Sequence, residues 1–176
     1  MKRITLGHAF GIEFQLHTQA ILFSLLIWAG LALLAAYLFS WTTATAVVWG
    51  FFAMLIHWAS DLVHHLGHAW AGKRQGYCLE MLRFQHVLIA CRYPKNEPEL
   101  SAKIHIQRAL GGPFFSLLLT IIGGILLVLL PPGGFGYALV QFFFWENLLV
   151  YFLGAFLPLG FTDGSTLLHW WPRRNP

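Results

Sequence analysis

Four apolar stretches fill most of this chain, and each is long enough to be read as a membrane crossing. They run from Thr18 to Phe39, from Ala44 to Val63 and on to about Gly72, from Pro113 to Leu130, and from Phe135 to Leu157. Crossing ~30 Å of hydrocarbon takes roughly 20 helical residues. The third stretch is the shortest and carries Gly123-Gly124, so its limits are the least defined. These spans leave no room for a separate soluble domain. The sequence predicts an all-α polytopic membrane protein of about four transmembrane helices, with residues 1–176 forming one domain.

The basic residues give the topology. Lys2 and Arg3 precede the first span. Lys73, Arg74, Arg83, Arg92, Lys95, Lys103 and Arg108 lie between the second and third, and Arg173 and Arg174 follow the fourth. The connections around Ser40–Thr43 and Pro131–Gly134 contain neither Lys nor Arg. With an even number of spans every basic residue falls on one side, which the positive-inside rule makes cytoplasmic, together with both termini. A net charge of +4 on such a chain speaks for a lipid bilayer and against nucleic acid, which calls for a basic patch on a soluble fold. Cys78 and Cys91 fall on the cytoplasmic side, where thiols stay reduced. Met1–His17 has no small-residue cleavage site after a short apolar core, so it is not read as a cleavable signal.

Short strands are expected outside the spans. Ile4–Leu6 and Ile12–Leu16, broken by Gly7 and Gly11, suggest a hairpin before the first helix, and Tyr77–Phe84 with His86–Tyr93 suggest a second. Ser101–Arg108 reads as an interfacial helical lead-in to the third span. An open sheet edge cannot face lipid, so these strands have to rest on protein or in the headgroup zone. An edge strand beside a buried site can pair with an extended peptide.

The second span is not uniformly apolar. It carries His57, Asp61, His64, His65 and His68. At ~100° per residue all but His65 fall within about 60° of one another, with His65 at the edge of that stripe. Ionisable groups in a span are costly and mark function. His64 and His68, at i and i+4, have the spacing to share one metal ion. Asp61, one turn before His64, is placed to accept its second ring N–H. His57 belongs to the same strip, with Glu146 as a possible buried partner. From Lys73 the helical rise puts His64 roughly 13 Å inside the boundary. Two other readings remain open here. The histidines can bond one another across a helix interface, or serve singly as axial ligands to haem or chlorophyll. A third metal ligand decides, and Asp163 is the candidate, because Pro158 and Gly160 interrupt the chain at a similar depth. Its competing role is the N-cap of a short helix Ser165–Trp171.

In this order the elements resemble those of the site-2 protease family of intramembrane zinc metalloproteases. Leu6-Gly7-His8 through Leu16-His17 is similar to the family's N-terminal hairpin. His64-His65-Leu66-Gly67-His68 stands where the family has His-Glu-x-x-His. Ala109-Leu110-Gly111-Gly112-Pro113 resembles the Ala-Gly-Pro that opens the next core helix. Pro158 to Asp163-Gly164 resembles Pro-x-x-x-x-Asp-Gly. The resemblance covers most of the chain. It implies a site-2 protease-like core and one zinc ion held by His64, His68 and Asp163.

The departures bear on chemistry. His65 replaces the family's general-base Glu, Ser116 or a neighbour stands where an Asn follows the Gly-Pro, and Ala155 stands where an Asn precedes the Pro. A Glu taking a proton goes from −1 to 0, whereas His65 goes from 0 to +1. A unit charge ~5 Å from a divalent ion at an effective dielectric of ~20 meets several kcal/mol of repulsion, and each ~1.4 kcal/mol is tenfold in rate. The expectation is a catalytically impaired member that holds a transmembrane client or other membrane-complex subunits. The alternatives are an active metalloprotease using His65 as base, and a structural or pigment-binding subunit. The Phe-rich face Phe142–Phe144 suits lipid, another copy or another subunit, which leaves oligomers open.

Overall fold

A computed structural model describes residues 3–174 of the chain; Lys2, one of the basic residues above, lies outside them. β1 (Arg3–Ala9) and β2 (Ile12–His17) lead into α1 (Thr18–Phe39) and α2 (Thr43–Arg74). β3 (Met81–Gln85) and β4 (Leu88–Arg92) precede α3 (Ala102–Leu129), α4 (Gly134–Glu146) and the short α5 (Asp163–Trp170). Four helices are long and apolar enough to span a membrane, the fourth counted as Gly134–Phe156. The chain is an integral membrane protein with a small sheet at the end where its basic loops lie.

Local chemistry sets the helix limits. The His17 ring accepts the Gln19 N–H at the start of α1, and Ser40 ends that helix in the left-handed region with φ 51°. Thr42 caps α2 by accepting the Thr45 N–H. The third span is longer than expected. Ser101–Arg108 is continuous with it, and Pro113 sits inside the helix. A proline there costs only the bond to the carbonyl four residues back, so the apolar limit read from the sequence was not the helical limit. Pro131-Pro132 and Gly133, with φ 94°, then separate α3 from α4.

The fourth span changes pitch. After Glu146 it runs as a π-helix over Asn147–Leu153 and a 3₁₀ turn over Gly154–Phe156, and then opens into a loop. π segments insert an extra residue per turn and are common at functional sites. The interruption expected at Pro158 and Gly160 begins directly after Phe156.

The two hairpins form one sheet, which the sequence did not foretell. The order is β1-β2-β3-β4, with β2 and β3 parallel and Glu13 opposite Met81. Its inner face buries Ile12, Leu82 and Ile89 with Leu79 and Ala69, against Trp58, Leu62 and Leu66 of α2. This answers the edge problem at β3, while β4 keeps one side free.

Small residues bring the helices together. Without a hydrophobic drive between helices in lipid, close backbone approach supplies the packing. Gly67 and Gly111 touch backbone to backbone, so a Cβ on either would overlap the other helix. Gly50 meets Ala32 of α1 in the same manner. α2 and α3 are thereby clamped at the level of the histidines.

Candidate metal centre

Three ligand groups converge, two from α2 and one from the first residue of α5. His64 Nε2 lies 3.1 Å from His68 Nε2. One Asp163 oxygen is 3.3 Å from His64 Nε2 and the other 3.4 Å from His68 Nε2. Among the described residues this is the one group of three or more His, Cys, Asp or Glu whose ligand atoms gather in this way. Asp163 is not an N-cap: Thr162 holds that position and Asp163 opens α5, which starts two residues earlier than expected. The break after Phe156 and the turn into α5 bring the carboxylate back against α2.

The tautomers follow from the outer partners. His68 Nδ1 lies 2.8 Å from the Arg108 carbonyl, an acceptor only, so Nδ1 carries the proton and neutral Nε2 presents a lone pair. The Gly112 N–H also approaches that Nδ1, at the longer distance of 3.3 Å. His64 Nδ1 pairs with Ser116 Oγ at 2.9 Å, with both groups buried. Asp61 does not meet His64 as expected; Ser116 takes that role. Orienting partners of this kind fix the ring planes of metal-binding histidines.

These residues fit zinc. Bonds of ~2.0–2.2 Å in a tetrahedral site place neighbouring ligand atoms about 3.4 Å apart. The two Nε2 atoms lie 3.1 Å apart, each faces its own Asp163 oxygen at 3.3 or 3.4 Å, and one ligand atom from each residue falls within 4.8 Å of the others. Gly112 leaves the space open, since a Cβ there would overlap both Nε2 atoms. His64 and His68 are buried, and Asp163 is nearly so.

His65 stands beside the triangle, its ring centroid 5.3 Å from that of His64 and 5.6 Å from that of His68. Its Nδ1 faces two acceptors of Asp61, the backbone carbonyl at 2.9 Å and a carboxylate oxygen at 3.1 Å. Nδ1 is therefore the protonated nitrogen, and among the described residues Nε2 has no partner on the side of the cavity that His65 lines. The other Asp61 oxygen accepts the Ile89 N–H of β4.

A cavity of about 440 Å³ opens over the site. One wall is β4, with Leu88, Ile89 and Cys91. The other is the π-helical stretch and the loop after it, with Leu149, Val150 and Phe161. His57 sits farther up α2. Its Nδ1 is 2.7 Å from Glu146, its Nε2 is 2.8 Å from the Val87 carbonyl, and the Tyr151 hydroxyl is 3.0 Å away. His57 is therefore no part of the triangle; the partnership with Glu146 is the one the sequence allowed.

At the basic end, Arg108 is buried between Glu97, the Tyr77 carbonyl and the Tyr93 ring, 3.7 Å from its centroid. Burial pushes the Tyr93 hydroxyl above its usual range, so it remains a donor, 3.5 Å from the His68 carbonyl. Neither Gly112 nor the Arg108 carbonyl stood out in the sequence as part of a site. The pair Gly111-Gly112 before Pro113 was the available signal for the first.

No protein-family model matches the sequence, and no curated protein does. Among solved structures the chain is similar to the site-2 protease from Methanocaldococcus jannaschii, with a TM-score of 0.61 and 21% sequence identity over 95% of this chain and 70% of that one. At that identity the likeness establishes a shared fold.

Proposed function

We propose that this chain is a site-2 protease-like membrane protein in which His64, His68 and Asp163 hold one zinc ion. We further infer that it is catalytically impaired and grips an extended segment of a transmembrane partner. The observation that carries the metal reading is the triangle of ligand atoms, one from each residue and all within 4.8 Å of one another, around a space kept clear by Gly112. When bound, zinc would supply Lewis-acid polarisation of a carbonyl. The basic end is read as cytoplasmic, which places both termini there.

The impairment rests on His65. Its open Nε2 can take a proton, but doing so creates a cation beside a dication, where a Glu would become neutral. Ser116 and Ala155, in place of two polar amides of the resembled pattern, point the same way. The free edge of β4 beside the cavity suits an extended peptide. A second reading is an active protease. It is favoured by the Asp61 carboxylate at 3.1 Å from His65 Nδ1, since a carboxylate behind an imidazole stabilises its protonated form. That carboxylate is already shared with the Ile89 amide, which weakens the compensation.

The test pairs metal analysis with cleavage. Purified protein should contain one zinc per chain, and visible absorption from a tetrapyrrole would sink this reading. In proteoliposomes carrying a panel of single-span substrates, wild type should not cut, and His65→Glu should gain cutting. Cutting by wild type that His65→Ala abolishes would establish the active reading instead.

A further inference from the structure

β4 is an outer strand, paired on one side only. In an antiparallel pair, alternate residues turn their N–H and C=O towards the partner and those between turn theirs away. The Arg92 carbonyl accepts from Glu80 across the β3 side at 2.9 Å, so Leu88, Ala90 and Arg92 face inward. Val87, Ile89 and Cys91 face the free side, towards the cavity.

α2 already occupies the first part of that free edge. His57 Nε2 donates to the Val87 carbonyl, and an Asp61 oxygen accepts the Ile89 N–H. Both are braced from behind, His57 by Glu146 and Asp61 by His65. Among the described residues no other residue bonds the Cys91 N–H or C=O. We propose that Asp61 and His57 form a register stop on β4. An extended apolar segment in the cavity pairs only with the Ile89 carbonyl and the Cys91 N–H and C=O, beside the His64, His68 and Asp163 triangle. This rests on the reading of β4 as a docking edge. The apolar character of the occupant follows from the facing wall of Leu149, Val150 and Phe161.

The stop holds for a physical reason. A hydrogen bond to a carboxylate is roughly twice as strong as a neutral amide–carbonyl bond. A guest that displaced Asp61 would exchange the stronger bond for the weaker. It would also leave one oxygen of the Asp61 carboxylate without its donor in a low-dielectric setting. The stop therefore fixes where along β4 a guest backbone begins to be held, and the triangle lies next to that point.

The experiment is residue-resolved amide hydrogen exchange on the full chain, zinc-loaded in nanodiscs, with and without a Leu-Ala-Leu-Ala-Leu hydroxamate as probe. Without probe, the Ile89 amide should exchange slowly and the Cys91 amide fast. Probe should slow Cys91 by about tenfold or more and leave Ile89 unchanged. In Asp61→Ala, Ile89 should exchange roughly ten- to a hundredfold faster, and probe should then protect it too; Asp61→Asn, which keeps one acceptor but loses the charge, should fall between wild type and Asp61→Ala in both readouts. Probes N-methylated at one amide at a time provide a measurement on wild type alone, and only the amide facing the Ile89–Cys91 window should be sensitive. If bound probe never protects Cys91, β4 is not the docking edge and both ideas fall. If Cys91 is protected but Ile89 or a second N-methyl position responds in wild type, docking stands and the register stop is wrong.

Discussion

α2 carries two histidine groups in one polar stripe, and they are finished in opposite ways. At His57 both ring nitrogens meet acceptors, Glu146 on one side and the Val87 carbonyl on the other. One proton shared between His57 and Glu146 satisfies that arrangement, and nothing is left over to bind. At His64 and His68 the outer nitrogens are satisfied by Ser116 and the Arg108 carbonyl, while the inner ones face each other and Asp163. Lone pairs that converge without enough protons between them call for a cation. Two histidines a few turns apart thus differ in unspent lone pairs, and that difference separates a brace from a binding site.

The largest effects should fall at the triangle. His64→Ala, His68→Ala and Asp163→Ala should each take zinc from one per chain to near none, read by metal analysis of purified protein. The loss should exceed the ten- to a hundredfold typical of an outer partner. Gly112→Ala should do the same without removing any ligand, because its methyl overlaps both Nε2 atoms. Full zinc retention in Gly112→Ala would mean the ion lies elsewhere.

At the brace the effect should move from metal to stability. His57→Phe strands the Glu146 carboxylate, a change worth about 3–5 kcal/mol in buried pairs, measured as reversible unfolding in mixed micelles. Its zinc content should stay at the wild-type level. A fall in zinc without a fall in stability would join the two groups that the geometry keeps apart. The smallest expected effect is that of Ser116→Ala, which removes the partner of His64 Nδ1. Zinc affinity should drop ten- to a hundredfold in a chelator competition, with little change in unfolding.

Much of this was legible because it is local. The α1 limits follow from an unbroken apolar run, and the i, i+4 spacing of His64 and His68 follows from helical pitch alone. Asp163 could be nominated because Pro158 and Gly160 mark a break at the right depth. What stayed hidden depends on pairings across long stretches of chain. Glu13 lies opposite Met81 in the parallel join that makes one sheet of two hairpins, and no local pattern in either segment names the other. Asp61 was expected behind His64, since both share a face. Three residues of spacing cannot show that a strand amide, Ile89 N–H, would claim one oxygen and His65 the other. The π-helical stretch likewise has no compositional mark, as Asn147–Leu153 reads as an ordinary apolar helix apart from Asn147 itself.

The backbone contact between Gly67 and Gly111 lies one residue from His68 on α2 and one from Gly112 on α3. A crossing that tight behaves as a fulcrum. When α3 swings to follow a thinner or thicker bilayer, its ends travel far and the crossing point hardly at all. The ligand-bearing stretch of α2 and the glycine that keeps its space clear therefore sit at the stillest place in the bundle. Changes of lipid should reach the outer wall of the cavity well before they reach the histidines.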